Sequence, residues 1–91
     1  MYSIQLENQF RKDYNLCKRR GYIIKELDAV IILLAESGNL PGDYKPHKLK
    51  GNYKRYWECH LKPDWLLIWE KDNKSHVIYL IRTGTHSDLF R

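Results

Sequence analysis

Three histidines, one aspartate and one arginine are the side chains of this sequence best suited to chemistry. His47, His60 and His86 all lie in the second half of the chain, and Asp64 follows His60 across a Pro-Asp turn. Imidazole titrates near neutral pH, so histidine can serve as a general acid or a general base. Asp64 could orient an imidazole, stabilise its charge or accept a proton. Arg82 could hold a phosphate or stabilise negative charge that develops on it.

This combination is what RNA cleavage without a metal ion requires. A base takes the proton from the ribose 2′-OH, which attacks the adjacent phosphate. An acid protonates the leaving 5′ oxygen, and a cation stabilises the phosphorane-like transition state. Each residue taken singly is more often structural, since Arg82 could simply cap a sheet and Pro-Asp turns are common. The prediction of catalysis therefore depends on these residues occurring together with a basic segment.

The spacing of the histidines and cysteines predicts neither a metal site nor a nucleophilic thiol. The chain contains no His-x-x-x-His or Cys-x-x-Cys spacing, so we expect no bound metal and no cofactor. Cys59 and His60 are adjacent and would point to opposite faces of a strand. Alternation groups Cys59 with Trp57 and Leu61, a set typical of a core. The fourth histidine, His76, lies near a turn and is expected to be exposed.

Basic residues are concentrated in the same half of the chain. The sequence holds 16 Lys and Arg against 11 Asp and Glu, for a net charge of +5, and the whole excess lies in residues 45–91. Residues 45–57 carry five bases and no acid, and these bases include Lys48, Lys50 and Lys54. Such a segment is typical of a surface that binds a polyanion such as nucleic acid. The alternative is a solvated strand edge whose lysines block aggregation.

Aromatic side chains could complete a surface for single-stranded RNA, which proteins often bind by stacking bases on planar groups. The chain has seven Tyr, three Trp and two Phe. Trp65 and Phe90 adjoin the histidines in sequence and are the candidates for such stacking. Trp57 and Trp69 are expected in the core or on the sheet surface instead.

The elements that must position these side chains change character near residue 40. Residues 2–6 alternate and predict a short first strand. Two helical patterns follow, which end at Gly21 and at residues 37–39 and predict a helical hairpin. The apolar face of the first helix comprises Leu6, Phe10, Tyr14 and Cys17. That of the second comprises Ile23, Leu27, Val30, Ile31 and Leu34, widened by Ile24, Ile32 and Leu33. The second helix is therefore expected to be well buried.

Strand and turn signals follow residue 45. They predict a hairpin of residues 47–50 and 53–61 around Gly51-Asn52, a turn at 62–64, a central strand at 65–71, a last strand at 75–81 and an irregular tail at 82–91. The predicted fold class is α+β. A short N-terminal strand and a helical hairpin pack on a mostly antiparallel β-sheet, in the order βααβββ(β).

Size and composition limit what this chain can be. Residues 1–91 suffice for a single domain with one core, but not for a dinucleotide-binding unit with a separate substrate domain. No apolar run approaches the roughly 20 residues that span a bilayer, so we expect no membrane contact. The N-terminus lacks the charged-then-apolar pattern of a secretion signal, so a cytoplasmic location is expected.

Three short motifs carry the candidate residues. The sequence reads HKLKG from His47, HLKPDW from His60 and RTGTHSDLF from Arg82. These stretches meet the patterns H-x-L-x-G, H-x-x-P-D-[WV] and R-x-G-[ST]-H-x-x-L-F at every fixed position. Together they resemble the YafQ branch of the RelE-type toxins, which are components of bacterial type II toxin–antitoxin modules. The resemblance extends over nearly the whole chain and implies a RelE-like fold.

The resemblance implies a ribosome-dependent mRNA endonuclease, which enters the A site of the 70S ribosome and cuts the codon there. The matching residues are His47, His60, Asp64 and His86 for the catalytic set, Arg82 for the phosphate contact and Phe90 for the C-terminal aromatic. Either His86 or His47 would take the 2′-OH proton, and either Asp64 or His60 would serve the leaving group. Asp88, at a position that the pattern leaves free, puts an acid beside the site and would weaken its attraction for phosphate.

The family also implies a cognate antitoxin that wraps the toxin, blocks its site and binds operator DNA through the complex. Such antitoxins are typically acidic, which suits a basic toxin, and a ribbon-helix-helix DNA-binding domain is expected. The neutral first half of the chain would then supply helical support and much of the antitoxin contact.

Two other classes of function stay open. The chain could be a non-catalytic module that binds the ribosome or nucleic acid through its basic face. It could also be a toxin-fold protein that has lost its activity and serves only as an interaction partner. The set of His47, His60, Asp64 and His86 favours an enzyme, because binding alone does not need it.

Overall fold

The computed structural model describes residues 1–90; Arg91, which ends the predicted domain and tail, lies outside the described residues. The strands are β1 (Ser3–Leu6), β2 (His47–Lys48), β3 (Tyr56–Lys62), β4 (Trp65–Asp72) and β5 (Val77–Gly84). The helices are α1 (Asn8–Arg19), α2 (Ile24–Ser37) and α3 (His86–Leu89). Within residues 1–90, no helix has both the length and the apolar character needed to cross a membrane.

The five strands form one sheet in the order β1-β5-β4-β3-β2. Short connections join β2 to β5 in sequence, and strands joined in this way pair antiparallel. β1 comes before the helices and closes the other edge of the sheet by running parallel to β5. The predicted α+β class with a mostly antiparallel sheet is confirmed.

The core lies between the two long helices and one face of the sheet. Its helical members are Phe10, Cys17, Leu27, Val30 and Leu34, and its sheet members include Cys59, Leu67, Trp69, Ile78 and Leu80. The helical members recur at intervals of three, four or seven residues within each helix, so they form one stripe on each. Alternation then turns Glu58 and His60, the neighbours of Cys59, to the face of the sheet away from the helices.

Two predictions about the helices are wrong. Leu6 was assigned both to the first strand and to the stripe of the first helix; it belongs to β1, and the helix begins only at Asn8. α2 is buried along one side only, since Ile32 is 59% exposed. One sheet face covers α2, so the apolar side chains on its outer side meet solvent.

The connection between β2 and β3 is longer than predicted. β2 has only two residues, and a 3-10 turn at Gly51–Tyr53 follows it. This connection sets His47 opposite Glu58. The predicted two-residue turn would have set His47 opposite Tyr56. The pairing is therefore displaced by two residues, which leaves the facing of the side chains unchanged.

The C-terminal tail is not irregular, contrary to the prediction. Residues 82–84 complete β5, and α3 follows. Thr85 and Asp88 form a capping box at the start of this helix. The Thr85 hydroxyl accepts from the Asp88 amide at 3.1 Å, and Asp88 Oδ2 accepts from the Thr85 amide at 2.9 Å. The Thr-x-x-Asp spacing is the sequence signal for this helix start.

Candidate active site

The structure brings three of the four histidines into one row. The ring centroids of His47 and His60 are 6.2 Å apart, and those of His60 and His86 are 6.0 Å apart. His76 precedes β5 at its opposite end and stacks on Tyr2, with centroids 4.9 Å apart. The row His47–His60–His86 is therefore a product of folding, and His76 does not belong to it.

Sheet register accounts for the row. His47 of β2 lies opposite Glu58, which is two residues from His60 and so faces the same way. Across β4, His60 is in register with Gly84, the last residue of β5. Because α3 starts immediately after this strand end, it brings His86 next to His60.

Asp64 holds the outer end of the row. Its Oδ1 lies 2.6 Å from His86 Nδ1 and accepts a hydrogen bond from the His86 amide at 2.8 Å. These hydrogen bonds, the backbone one first, lower the pKa of the Asp64 carboxyl below its usual value. An ionised carboxylate only accepts, so His86 Nδ1 carries the shared hydrogen and Nε2 is left for another partner.

Glu58 is an acid that the sequence reasoning missed. It is 6% exposed, and its Oε1 lies 3.2 Å from His47 Nε2 and 3.9 Å from His60 Nε2. On the other side of the ring, His47 Nδ1 is 2.9 Å from the carbonyl oxygen of Lys45. The signal that could have found Glu58 is its position two residues before His60 on the same strand face.

Arg82 is held by Asp13 of α1. Arg82 Nε donates to Asp13 Oδ2 at 2.7 Å and Nη2 donates to Oδ1 at 3.3 Å. The buried Asp13 carboxylate also accepts from the Thr83 amide at 3.1 Å and from Gln9 Nε2 at 3.0 Å. Asp13 was missed as well, although a charged residue between Phe10 and Cys17 in the apolar stripe was a detectable signal.

The two aromatic candidates have different environments. Trp65 is 3% exposed, its indole N–H donates to Thr83 Oγ1 at 3.0 Å, and its ring meets the edge of Tyr22. Trp65 therefore cannot stack on a base, and that prediction is wrong because the ring fills the core. Phe90 is 41% exposed and packs edge-on to Tyr53, a second exposed ring that the sequence reasoning missed.

Of the three candidate lysines in the basic segment, one lies on a strand and two flank a turn. Lys48 pairs with Trp57 and extends over its ring, 6.0 Å from the centroid, so it faces away from His47. The expected contact of Lys48 with substrate beside the histidines is not supported by this arrangement. Lys50 and Lys54 flank the 3-10 turn and are exposed.

The cysteines are core residues, as predicted. Burial raises the pKa of Cys59 to about 12 and also raises that of Cys17, so neither is a ready thiolate. Among residues 1–90, no three His, Cys, Asp or Glu side chains are arranged to hold one metal ion.

Comparisons with known proteins match the same family over almost the whole chain. A family model described as "Bacterial toxin of type II toxin-antitoxin system, YafQ" matches residues 2–91. The mRNA interferase toxin YafQ of Escherichia coli K12 is 36% identical over 88 residues, which cover 96% of this chain and 94% of that protein.

Solved structures agree with the sequence match. A chain in the crystal structure of the E. coli DinJ-YafQ complex is 34% identical, with a TM-score of 0.90 and full coverage of both chains. A metal-bound toxin from Helicobacter pylori is 39% identical, with a TM-score of 0.90 over 99% of this chain and 100% of that one. The fold is therefore shared with toxins at this level of identity.

Proposed function

This chain belongs to the YafQ family of bacterial type II toxin–antitoxin toxins, and we propose that it is an endoribonuclease that cuts mRNA in the A site of the 70S ribosome. The observation that carries the proposal is the contact between His86 and Asp64 at the end of a row of three histidines. The name of its E. coli relative, an mRNA interferase, supports the same reaction class.

His86 is the general base of the proposed reaction. Asp64 is ionised at neutral pH, as an ordinary aspartate is, and the hydrogen bonds from His86 lower its pKa further. The carboxylate holds the imidazole through Nδ1. Nε2 takes the proton of the ribose 2′-OH while the 2′ oxygen forms a bond to the adjacent phosphorus. The bond from phosphorus to the 5′ oxygen breaks, which yields a 2′,3′-cyclic phosphate and a 5′-hydroxyl.

His60 is the general acid that protonates the leaving 5′ oxygen. Asp64 suits this role poorly, because a carboxyl with a lowered pKa has no proton to donate at neutral pH. The ring centroids of His60 and His86 are 6.0 Å apart, a separation that supports a scheme in which the two rings act on opposite sides of one phosphodiester. His47 is held between Glu58 and the Lys45 carbonyl, and it supports the end of the histidine row that lies on β2 and β3.

The remaining site residues bind substrate. Arg82, fixed by Asp13, stabilises negative charge on the phosphorane-like transition state. Phe90 offers a ring for base stacking, and Lys50 and Lys54 offer charge for the phosphate backbone. Because the ribosome presents the mRNA, the domain does not need a complete substrate cleft of its own.

No step of this scheme uses a metal ion, and we propose metal-independent catalysis. The H. pylori relative is metal-bound, so the point needs a direct test. Cleavage of free RNA that persists in EDTA supports the scheme, and cleavage that is lost in EDTA and restored by added metal contradicts it. Translated mRNA is unsuitable here because ribosomes require magnesium.

The proposed regulation is inhibition by a cognate antitoxin. The E. coli relative occurs in a complex with DinJ. For this chain we propose an acidic antitoxin with a ribbon-helix-helix domain, which carries the complex to operator DNA. The net charge of +5 favours an acidic partner, and action on ribosomes implies a cytoplasmic location.

Primer extension on an mRNA under translation tests the proposed function. The wild-type protein should produce cuts localised to codons in the A site, and His86→Ala should abolish them. His76→Ala is the matched control, because His76 lies outside the row. Inhibition of translation without codon-localised cuts would instead identify a non-catalytic ribosome-binding protein, and the absence of both effects would identify an inactive relative.

A further inference from the structure

The short helix α3 carries His86 but is too small to hold its own position. It has four residues, whereas isolated helices below about 12 residues are marginal in water. Its capping box satisfies local hydrogen bonds within residues 85–88 and so defines the shape of the turn. Where that turn lies on the protein must be decided by contacts with distant residues.

Besides the contact of His86 with Asp64, Asp88 makes a bidentate contact with a distant residue. Its carboxylate accepts two hydrogen bonds from the Arg20 guanidinium, at 2.7 Å to Nη1 and 3.2 Å to Nη2. The same carboxylate closes the capping box with Thr85. Arg20, chiefly through these hydrogen bonds, holds the pKa of Asp88 well below its usual range. The acid expected to weaken the site is therefore neutralised by a bidentate partner.

Both ends of this contact are built into the fold. Arg20 caps the C-terminal end of α1, directly after the turn that contains buried Cys17. Gly84, at φ +152°, makes room for Asp88: a Cβ at that position would lie 2.7 Å from Asp88 Oδ2. The backbone before α3 is therefore shaped to admit the carboxylate that Arg20 binds.

We propose that Arg20 is a positioning residue, which acts through Asp88 to hold α3 where His86 meets Asp64. This role rests on the proposed function, because it concerns the geometry of the general base. Arg20 touches neither His86 nor Asp64 among the hydrogen bonds of residues 1–90, and its bidentate contact is with Asp88 of α3, so the proposed influence passes through that helix. The motif pattern leaves position 88 free, so the contact is a property of this chain rather than of the motif.

The test compares Arg20→Ala with Arg19→Ala, its basic neighbour at the end of α1, in the wild-type and Asp88→Ala backgrounds. Two readouts are used: codon-localised cleavage on ribosomes, and the NMR titration of the Asp64 carboxyl in the free protein. Arg20→Ala should lower cleavage about tenfold, less than the roughly 100-fold that a fully misplaced catalytic group costs. It should also raise the pKa of Asp64 towards its ordinary value, since His86 supplies the hydrogen bonds that lower it.

Arg19→Ala should change neither readout, and Arg20→Ala should add nothing in the Asp88→Ala background. An equal loss of cleavage in both backgrounds would mean that Arg20 contacts RNA directly, and the proposal would be wrong. An Asp64 titration that Arg20→Ala leaves unchanged would overturn it as well. If Arg20→Ala does not fold, Arg20→Lys keeps the charge, loses the two-pronged contact and should give a smaller change of the same sign. The titration needs no ribosome, so it tests Arg20 even if the wild-type protein cuts no mRNA.

Discussion

The two ends of the histidine row are held in different ways. At the β2–β3 end, His47 meets Glu58, a nearly buried acid placed by strand pairing. At the α3 end, His86 meets Asp64, an exposed acid on a turn, through a helix that needs a distant anchor. The first end therefore has the stiffness of the sheet. The second depends on surface contacts, and it is the end to which we assign the base.

The largest effect should come from removing the charge at the exposed end. Asp64→Asn keeps the size of the side chain and can still accept from the His86 amide, but it no longer enforces the hydrogen on His86 Nδ1. We expect cleavage to fall about 100-fold, in the range of general-base effects, while the melting temperature hardly changes because Asp64 is exposed. Retention of wild-type cleavage in single-turnover assays would remove Asp64 from the mechanism.

Removing the charge of Glu58, at the buried end of the row, should lower cleavage less than Asp64→Asn does, but should lower stability more. Glu58→Gln leaves His47 and His60 without a charged partner, and we expect about a tenfold loss of cleavage, the low end of acid–base effects. Because Glu58 is nearly buried, urea unfolding should also show a loss of about 1 kcal/mol. If Glu58→Gln proved more damaging to cleavage than Asp64→Asn, the base would be better assigned to the β2–β3 end.

Two aromatic substitutions should distinguish an exposed ring that binds substrate, Phe90, from a buried ring that stabilises the core, Trp65. Phe90→Ala removes an exposed ring, and we expect about a fivefold loss of cleavage, equivalent to weak stacking on one base. Trp65→Phe keeps a buried ring but loses the bond to Thr83, so it should cost about 1 kcal/mol of stability and leave cleavage by the folded protein unchanged. A cleavage defect in Trp65→Phe without a stability defect would contradict the placement of this ring in the core.

The smallest effect concerns acid pH. Asp88 has a folded-state pKa below its unfolded value, so its contribution to stability is present above the unfolded value, near pH 4, and is lost as pH falls below it. Wild-type protein should therefore be slightly more stable than Asp88→Asn at pH 7, by no more than about 1 kcal/mol for a partly exposed pair. The gap between the two melting temperatures should narrow steadily as pH falls from about 4 to 2, and a gap that did not narrow over this range would assign the stabilisation to something other than charge.

Most of the fold was predictable because its signals are local. The helical spacing of Phe10 and Cys17 and the alternation around Cys59 each reflect a periodicity that burial on one face imposes. The errors arose where local signals compete. The α2 stripe around Ile32 was read as buried, but only one sheet face was available to cover it. The capping box at Thr85 was passed over because it starts a helix of only four residues.

The candidate site was predictable in its members but not in their partners. Motif spacing identified His47, His60, Asp64 and His86 as a set, and the structure brings them together. Trp65 was proposed because it adjoins the histidines in sequence, and nearness in sequence does not show whether a side chain faces solvent. Asp13 was missed because its partner Arg82 comes from another element, and Glu58 because its nearer partner, His47, comes from another strand.

By itself, the sequence determined the fold class, the family and the side chains of the candidate site. These depend on residue identity and on short-range order along the chain. Tertiary structure alone decided the pairing of His47 with Glu58, the burial of Trp65 and the anchoring of α3 by Arg20. Each of these depends on strand register or on the docking of distant elements. Such contacts are selected by the packing of the whole chain, and no local pattern encodes them.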